Sequence, residues 1–251
     1  MSTQTEEYDV LILGTGVTEA ILAGALAKAG KRVVHVDSSD SYGGSGKALS
    51  VDAFLALPRL TVSQPPHESV LKEARKYALE MTPKLIYGNG ELVEAMISSA
   101  VANYLEFRAV EGVSLLWDGR FETVPCSKED VFKNDSIPLL EKRRLMKLLS
   151  KVNEGSHSDQ HDPNSPFKVF LEAQGLTERS QASLFYGVGQ LIESKDANAT
   201  LAQGFAAIKR FLGSIGRFGS TPFLSGVYGT ASEISQAFCR VCAVFGGTYM
   251  L

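Results

Sequence analysis

The sequence predicts an α/β protein, and three observations support this prediction. An apolar strand, a glycine turn, a helix and a second apolar strand follow one another over residues 8–44. Helical patterns dominate residues 127–213, and glycine-rich and strand-like sequence returns after that. A Rossmann-like domain of the FAD/NAD(P)-binding, flavoprotein-like type, interrupted by a helical domain, accounts for this order. We therefore predict a first part at 1–126, an inserted helical domain at 127–213 and a return to the first domain at 214–251.

The opening βαβ pattern is the strongest indication of this fold. Its strand, glycine turn, helix and second strand lie at 8–13, 14–16, 18–29 and 32–36. Gly14 and Gly16 form the turn, and Asp37 ends the second strand. A glycine turn followed by an acidic residue about 20 positions later is typical of dinucleotide-binding folds.

As a cofactor site, however, this motif is altered. A dinucleotide site has Gly or Ala three residues after the second glycine, so that the helix packs close to the strand. The residue at that position is Glu19. A carboxylate in the first helical turn is favoured by the helix dipole, but it competes with or repels a bound pyrophosphate. We therefore expect no bound FAD and interpret five residues as remnants of a cofactor site: Gly14, Gly16, Asp37, Gly43 and Gly44.

Composition excludes several classes of function. A net charge of −3 and a pI near 5.9 give no electrostatic basis for binding nucleic acid. No apolar run reaches the roughly 18 residues of a transmembrane segment. The N-terminus is polar and acidic, unlike a signal peptide, and three cysteines are too few for a disulfide framework. These features favour a cytoplasmic protein.

Periodicity and turn signals predict the remaining elements. In the first part we expect helices at 68–80 and 91–105 and strands at 84–87, 107–110, 113–117 and 121–124. Ser127 with Asp130 resembles an N-cap, and helices are predicted beyond it at 141–152, 167–174, 178–193, 197–213 and 232–244. The chain ends in an apolar, strand-like stretch, so we expect it to be shorter than its relatives.

The sequence offers no catalytic or metal-binding constellation. A nucleophile elbow and a Walker-type phosphate loop are both missing from it. Cys239 and Cys242 have the spacing of a redox pair, but their place late in a predicted helix favours structural packing. No cysteine accompanies any of the four histidines, and we expect no metal site at His35, His67, His157 or His161.

The last predicted helix has two distinct faces. Ile234, Phe238, Val241 and Phe245 recur at helical spacing and predict a buried stripe. Glu233, Gln236 and Arg240 fall together on another face. That face is either solvated or part of an interface, since arginine is enriched in binding hot spots. The cationic run 142–144 is typical of a solvated helix face.

Several stretches together resemble one protein family, the Rab GDP-dissociation inhibitors and Rab escort proteins. They cover most of the chain: 9–24, 41–44, 83–99, 104–112, 141–149, 216–224 and 232–251. The resemblance is specific, because Glu19, which disrupts the cofactor motif, is itself part of the family pattern. It implies a flavoprotein-like fold that does not use a flavin.

Within the family, two segments look more like escort proteins than like GDP-dissociation inhibitors, namely 124–132 and 238–247. Such a resemblance implies binding to GDP-bound Rab GTPases and their presentation to the Rab geranylgeranyltransferase heterodimer. The escort protein is not itself the catalyst. It then binds the prenyl lipid of the modified Rab and carries the lipidated Rab to membranes, which implies a cytoplasmic protein with transient peripheral membrane association.

The resemblance also assigns roles to individual residues. The Rab-binding residues of the family correspond to Tyr42, Glu233, Arg240 and Met250, which we call the platform residues. The transferase contact of the family corresponds to Phe132 and Arg143. The residue pattern alone would place Phe132 in the hydrophobic core.

Two alternative functions stay open at this point. A GDP-dissociation inhibitor would prefer lipidated Rab and would not need Phe132 and Arg143 for docking of the transferase. A flavin-dependent oxidoreductase of the amine-oxidase type would instead use Gly14, Gly16, Asp37 and the Gly43-Gly44 pair. The family also continues with further strands and helices beyond the point where this chain stops.

Overall fold

A computed structural model describes residues 7–135, 137–154 and 162–251. His157 and His161 lie outside the described residues. The strands are β1 Val10–Leu13, β2 Val33–Val36, β3 Ala48–Leu49, β4 Leu79–Glu80, β5 Ile86–Tyr87, β6 Phe107–Ala109, β7 Ser114–Trp117, β8 Arg120–Thr123, β9 Phe223–Gly226 and β10 Thr248–Met250. The α-helices are α1 Val17–Lys28, α2 Val51–Leu55, α3 Glu68–Lys72, α4 Glu91–Ser98, α5 Lys128–Lys133, α6 Leu139–Glu154, α7 Phe167–Ala173, α8 Glu178–Ala182, α9 Leu201–Ser214 and α10 Thr230–Val244.

The chain forms two compact units, and each is built from separate stretches of sequence. The first unit comprises Met1–Leu85, Ala95–Arg108 and Ser225–Leu251, and the second comprises Ile86–Glu94 and Ala109–Leu224. The β7–β8 hairpin thus belongs to the second unit, whereas the sequence analysis assigned its residues to the first part. The family-domain boundaries at 127 and 214 stay a prediction.

A parallel three-stranded sheet with the order β1–β2–β10 organises the first unit. Ile12 pairs with His35, and His35 with Tyr249, so these three side chains share one face of the sheet. That face contributes to a core with the buried Ala23 and Cys242. The predicted βαβ opening is therefore confirmed.

Helix α1 packs against α10 at close range because its buried face consists of small residues. Ala20, Ala23, Gly24 and Ala27 are the buried positions of α1. A Cβ atom added to Gly24 would lie 3.2 Å from the carbonyl oxygen of Phe238 in α10. The small side chains of α1 thus set the distance between the two helices.

The opposite face of the parallel sheet is exposed at its two outer strands, whereas Val34 of the central strand is buried. Leu11 and Leu13 of β1 and Met250 of β10 are exposed there. Their strand neighbours Val34 and Val36 belong to the same face by register. Parallel sheets are usually covered on both faces, so this apolar surface is an unusual feature of the first unit.

The second unit is mainly helical and has an aromatic core. The ring of Phe167 lies 5.9 Å from that of Phe185 and 6.2 Å from that of Phe205, between ring centroids. Gly204 of α9 faces the Phe167 ring so closely that an added Cβ would overlap it. Together with the β7–β8 hairpin, these helices complete the predicted α/β class.

Helix caps explain where several helices of the second unit begin. The predicted N-cap of α5 is confirmed, because Ser127 and Asp130 form a reciprocal capping box. Thr200 and Gln203 form a second one at the start of α9. Each box satisfies backbone N–H groups that would otherwise have no partner in the first helical turn.

Four sequence predictions of local structure are wrong. The helix predicted at 91–105 ends at Ser98, and Val101–Tyr104 forms a short 3-10 segment. The helix predicted at 68–80 ends at Lys72, and Leu79–Glu80 instead pairs as β4 with Ala48–Leu49. The helix predicted at 178–193 changes after Ala182 into a π-helical segment, Ser183–Val188. Phe245 is exposed rather than buried, because α10 ends one residue before it.

Candidate functional site

The acidic residue of the βαβ motif is bound by the glycine turn itself. Asp37 Oδ2 accepts hydrogen bonds from the Thr15 backbone N–H at 2.7 Å and from the Thr15 hydroxyl at 2.6 Å. Oδ1 accepts one from the Ser39 N–H at 2.9 Å. These bonds, chiefly that from the Thr15 hydroxyl, lower the pKa of Asp37. Its carboxylate thus already has internal donors on both oxygens.

Glu19 occupies the space above the glycine turn. One of its carboxylate oxygens lies so close to Gly16 that a Cβ added there would clash with it. The diglycine loop closes on the same turn, since the Gly43 N–H donates to the Thr15 carbonyl at 3.0 Å. A Cβ on Gly44 would lie 3.6 Å from the Gly16 Cα. A negative charge and a close backbone loop at this position do not fit the pyrophosphate of a dinucleotide.

Three of the four platform residues lie near the start of α10 or the end of β10, namely Tyr42, Glu233 and Met250. The loop that carries Tyr42 contacts α10, because a Cβ on Gly43 would lie 3.1 Å from the Ser232 Cα. The Tyr42 ring meets the Tyr249 ring edge-on, with centroids 6.1 Å apart. Glu233 follows Ser232 in the helix, and Met250 follows Tyr249 in the strand. The structure therefore brings these segments together within the first unit.

Glu233 is a partly buried carboxylate in an acidic neighbourhood. Its Oε2 accepts a hydrogen bond from the Tyr228 N–H at 3.4 Å. Glu80, which accepts from the Ala231 N–H at 3.3 Å, and Glu106 are its nearby charges. Burial is the main cause that raises the pKa of Glu233, and the two neighbouring carboxylates add to it.

Arg240 projects from the exposed face of α10. Its guanidinium carbon lies 4.6 Å from the centroid of the Tyr104 ring, in a cation–π contact. Tyr104 belongs to a short 3-10 segment, Val101–Tyr104, and is itself half exposed. This contact orients Arg240 while leaving its donors accessible to a partner.

A buried polar cluster lies behind Tyr42. The Tyr249 hydroxyl is 3.1 Å from His35 Nδ1, and the Cys239 and Cys242 thiols are further neighbours of it. Burial raises the pKa of Cys239 to about 11 and also raises that of Tyr249. Such thiols are protonated at neutral pH and unreactive, which agrees with the structural interpretation of this pair.

The structure places Phe132 on the surface, where 56% of it is exposed, so the expectation of a core position is wrong. Val131 is the buried residue of α5. Phe132 is linked to α6 through its backbone, because Lys142 Nζ donates to the Phe132 carbonyl oxygen at 2.7 Å. Arg143, the next residue, is exposed.

The cationic run 142–144 is not a uniformly solvated face. Lys142 is only 8% exposed, and Arg144 donates to the Gly175 carbonyl oxygen. Arg143 is thus the member of the run that projects freely into solvent. Sequence reasoning missed Lys142, and it also missed Tyr104 because that residue fell inside a predicted helix.

The second unit also contains apolar hollows. One of about 60 Å³ is lined by side chains that include Leu115, Val124, Val131, Leu145 and Leu184. A second, of about 200 Å³, lies between Pro125, Met146, Leu149, Phe211 and Leu212. Apolar side chains form most of each lining, but polar ones contribute as well, including Glu122 and Arg179 in the first hollow and Lys128 and Asn153 in the second.

Two further features bear on the class of function. Within the described part of the chain, no group of three or more His, Cys, Asp or Glu residues is arranged to hold a metal ion. Among the helices of residues 7–135, 137–154 and 162–251, none has the length and apolarity needed to cross a membrane.

Comparison with known proteins identifies the family. The sequence profile described as "GDP dissociation inhibitor" matches residues 4–251. The chain belongs to the GDP dissociation inhibitor family. One relative, the Rab proteins geranylgeranyltransferase component A of Drosophila melanogaster, is 35% identical over 98% of this chain and 53% of its own length. Another, the probable secretory pathway GDP dissociation inhibitor 1 of Schizosaccharomyces pombe, is 34% identical over 98% of this chain and 56% of its own length.

Solved structures of the family and of more distant proteins share this fold. A crystal structure of Rab GDI from Plasmodium falciparum matches 98% of this chain and 58% of its own with a TM-score of 0.76 and 27% identity. An oxidoreductase from Methanosarcina mazei matches with a TM-score of 0.62 at 15% identity, covering 95% of this chain and 50% of its own. That likeness shows the Rossmann-like fold alone. The chain spans about half the length of the curated relatives it matches.

Proposed function

We propose that this chain is a Rab escort-type protein that binds GDP-bound Rab GTPases through the platform residues. The observation that carries the proposal is the two-sided character of α10. Its buried side packs against α1, while the partly buried Glu233 and the exposed Arg240, two turns apart, lie on another side. Arginine held by an aromatic ring is a frequent anchor of protein interfaces. Membership of the family supports the same assignment.

The escort role is assigned to two residues of the second unit. The exposed Phe132 and Arg143 form the contact through which the bound Rab is presented to the Rab geranylgeranyltransferase heterodimer. An aromatic–arginine pair suits a small, transient interface. The catalytic groups belong to the transferase, and this chain acts by binding and presentation. A GDP-dissociation inhibitor is the alternative within the family, and it would not depend on Phe132 and Arg143.

The product of this reaction is an apolar prenyl chain on Rab. The hollow around Met146 and Leu149, which is lined by more apolar than polar side chains, offers a candidate site for the prenyl chain in the second unit. Shielding of this lipid from water would let the complex move through the cytoplasm and associate transiently with membranes at delivery.

We also propose that the chain functions without FAD. Glu19 above Gly16 and the Thr15 donors on Asp37 already fill the positions that a dinucleotide would use. A purified protein without flavin absorbance is expected. A yellow protein with stoichiometric flavin would instead favour the oxidoreductase alternative.

The test is a titration of the chain with unlipidated Rab loaded with GDP or with GTP. We expect preferential binding of the GDP form, whose switch segments are ordered differently from those of the GTP form. Arg240→Ala should weaken binding by about tenfold or more, as for a hot-spot residue. Arg59→Ala is the matched control, since Arg59 is an exposed arginine of the same unit.

Two outcomes would count against the assignment. If Arg240→Ala and wild type bind GDP-loaded Rab with equal affinity, Arg240 does not contribute to Rab binding and the platform assignment on α10 is wrong. Binding of lipidated Rab only, without any effect of Phe132→Ala on transferase recruitment, would favour the GDP-dissociation inhibitor alternative.

A further inference from the structure

The second unit contains a cleft that the proposed function does not use. It lies between α7 and the segment formed by α8 and the π-helical turn Ser183–Val188, and its volume is about 380 Å³. The buried Leu171 and Phe185 line it, and Tyr186 lines it with 40% of its surface exposed. The cleft thus has an apolar wall with two aromatic rings that solvent can reach. π-Helical segments are rare and occur frequently at functional sites.

Three charged side chains surround this wall, namely Lys168 and Glu172 of α7 and Glu178 of α8. All three residues are exposed. In the part of the chain that the structure describes, neither glutamate takes part in an ion pair. Arg179, which follows Glu178, pairs with Glu122 instead. The cleft therefore has two carboxylates without a cationic partner and a single positive charge.

Two charged residues of α6 contact the loop that joins α7 to α8. Arg144 donates to the Gly175 carbonyl oxygen. Glu141 accepts from the N–H and the hydroxyl of Thr177 at 2.7 and 2.8 Å. Since these two charges are of opposite sign, they leave the charge balance of the cleft unchanged.

Lys168 shows which chemistry the aromatic wall attracts. Lys168 and Glu172 are four residues apart, a spacing at which lysine and glutamate on one helix can pair. The ammonium group instead lies 4.9 Å from the centroid of the Phe185 ring. A cation over an aromatic ring is attracted by the ring quadrupole, and the alkyl stem of a lysine gains from contact with apolar surface. Lys168 is thus an internal cation that occupies part of the cleft.

We propose that this cleft, which we call the α7–α8 cleft, binds a basic side chain of a protein partner, and that Lys168 competes with that side chain. An arginine or lysine side chain combines an apolar stem with a cationic head. The stem contacts the apolar wall, and the head lies near the aromatic rings and the two glutamates. Arginine fits better than lysine, because its planar guanidinium group stacks on aromatic rings and binds carboxylates at two points. This site is separate from both binding surfaces of the proposed function.

The experiment titrates the blocked peptide acetyl-Gly-Arg-Gly-amide into the isotope-labelled chain and follows the binding by NMR. We expect shifts of the Phe185 and Tyr186 resonances and a dissociation constant of about 1 mM, because the contacts are few and exposed. A peptide with citrulline in place of arginine has a similar shape without the charge and should not bind. The ring current of Phe185 shifts the Lys168 ε-methylene protons upfield, and the peptide should reverse this shift by displacing the ammonium group.

Substitutions then test the charges of the cleft. The double variant Glu172→Gln/Glu178→Gln should weaken peptide binding about fivefold, as expected from the loss of two exposed ion pairs. Lys168→Met removes the competing ammonium group and should strengthen binding roughly threefold. Glu111→Gln and Lys209→Met are the matched controls, since both residues are exposed, belong to the same unit and do not line the cleft. Both controls should bind the peptide as wild type does, and the thermal unfolding midpoints of all variants should stay similar.

The possible outcomes separate the parts of this inference. The absence of shifts at Phe185 and Tyr186, or equal binding of the citrulline peptide, would overturn it. Binding that leaves the Lys168 methylene resonances unchanged would overturn the competing role of Lys168. Tighter binding of n-propylguanidinium than of the arginine peptide would assign the cleft to a free organic cation and overturn the protein partner. The titration needs neither Rab nor the transferase, so its result does not depend on the proposed function.

Discussion

Thr15 and Asp37 form a two-point contact in which both the N–H and the hydroxyl of Thr15 donate to one carboxylate oxygen, at 2.7 and 2.6 Å. In a working dinucleotide site the acidic residue after the second strand binds the ribose of the cofactor. In this chain the same carboxylate joins the end of β2 to the glycine turn. The Thr15–Asp37 contact is thus an internal one that stabilises the fold.

Asp37→Asn should lower the free energy of unfolding by about 2 kcal/mol at neutral pH, because hydrogen bonds to charged groups contribute about that much. The pKa of Asp37 is lowered in the folded protein, so its contribution is present above the pKa of the unfolded chain. It is lost as the pH falls through the folded-state pKa. Urea unfolding between pH 7 and pH 3 should show a difference between variant and wild type that shrinks with acidification. A difference that is constant over this range would contradict the assignment.

Glu233→Gln should stabilise the fold at neutral pH, in contrast to Asp37→Asn. The pKa of Glu233 is raised, chiefly by burial, so folding favours its protonated form. The stability linked to this group is fully present below the pKa of the unfolded chain and is lost as the pH rises through the folded-state pKa. Denaturant unfolding at pH 4 and pH 7.5 should give a gain that appears only at the higher pH. The same variant should weaken Rab binding if Glu233 contacts the GTPase.

Tyr104→Ala should reduce the affinity for Rab severalfold. The aromatic ring holds the Arg240 guanidinium at 4.6 Å, and a cation–π contact at an exposed site contributes about 0.5–1 kcal/mol. Tyr104→Phe should retain most of the affinity, because the ring persists. Tyr77→Ala, at another exposed tyrosine of the first unit, should have no effect. An equal loss in the Phe variant would mean that the hydroxyl, rather than the ring, is the important group.

Gly204→Ala should destabilise the second unit by about 1–3 kcal/mol, as expected of overpacking. The added methyl group would overlap the Phe167 ring at the centre of the aromatic core. Gly112→Ala is the control, because an added Cβ there has no neighbour within 4 Å. Thermal unfolding of the two variants should differ clearly, and similar midpoints would indicate that the ring moves aside without cost.

The local signals in the sequence were sufficient for much of the fold. The βαβ opening, the N-cap at Ser127 and the small-residue helix α1 depend on neighbours in sequence, and each was predictable. The strand at Leu79–Glu80 was not, because its pairing with Ala48–Leu49 overrides a helical pattern. The exposure of Phe245 was not predictable either. It depends on the end of α10 at Val244, because the buried face of the helix does not continue beyond its last residue.

For the candidate site, the sequence singled out Glu19, and the structure places its carboxylate beside Gly16. The absence of a bound cofactor stays a prediction. The contacts that orient the predicted binding residues could not be predicted from the sequence. Lys142 is separated from Phe132 by ten residues and Arg240 from Tyr104 by many more, so no local pattern links them. The roles of the platform residues and of Phe132 and Arg143 stay predictions.

The discontinuous make-up of the first unit has a consequence for the order of folding during synthesis. The first unit starts at the N-terminus, but α10 and β10, which cover α1 and extend the sheet beside β2, come from Ser225–Leu251. Every residue of the second unit has been synthesised once Leu224 is added. The unit that leaves the ribosome first therefore waits for the later one, and the apolar face of α1 stays uncovered until Thr230–Val244 of α10 has been synthesised.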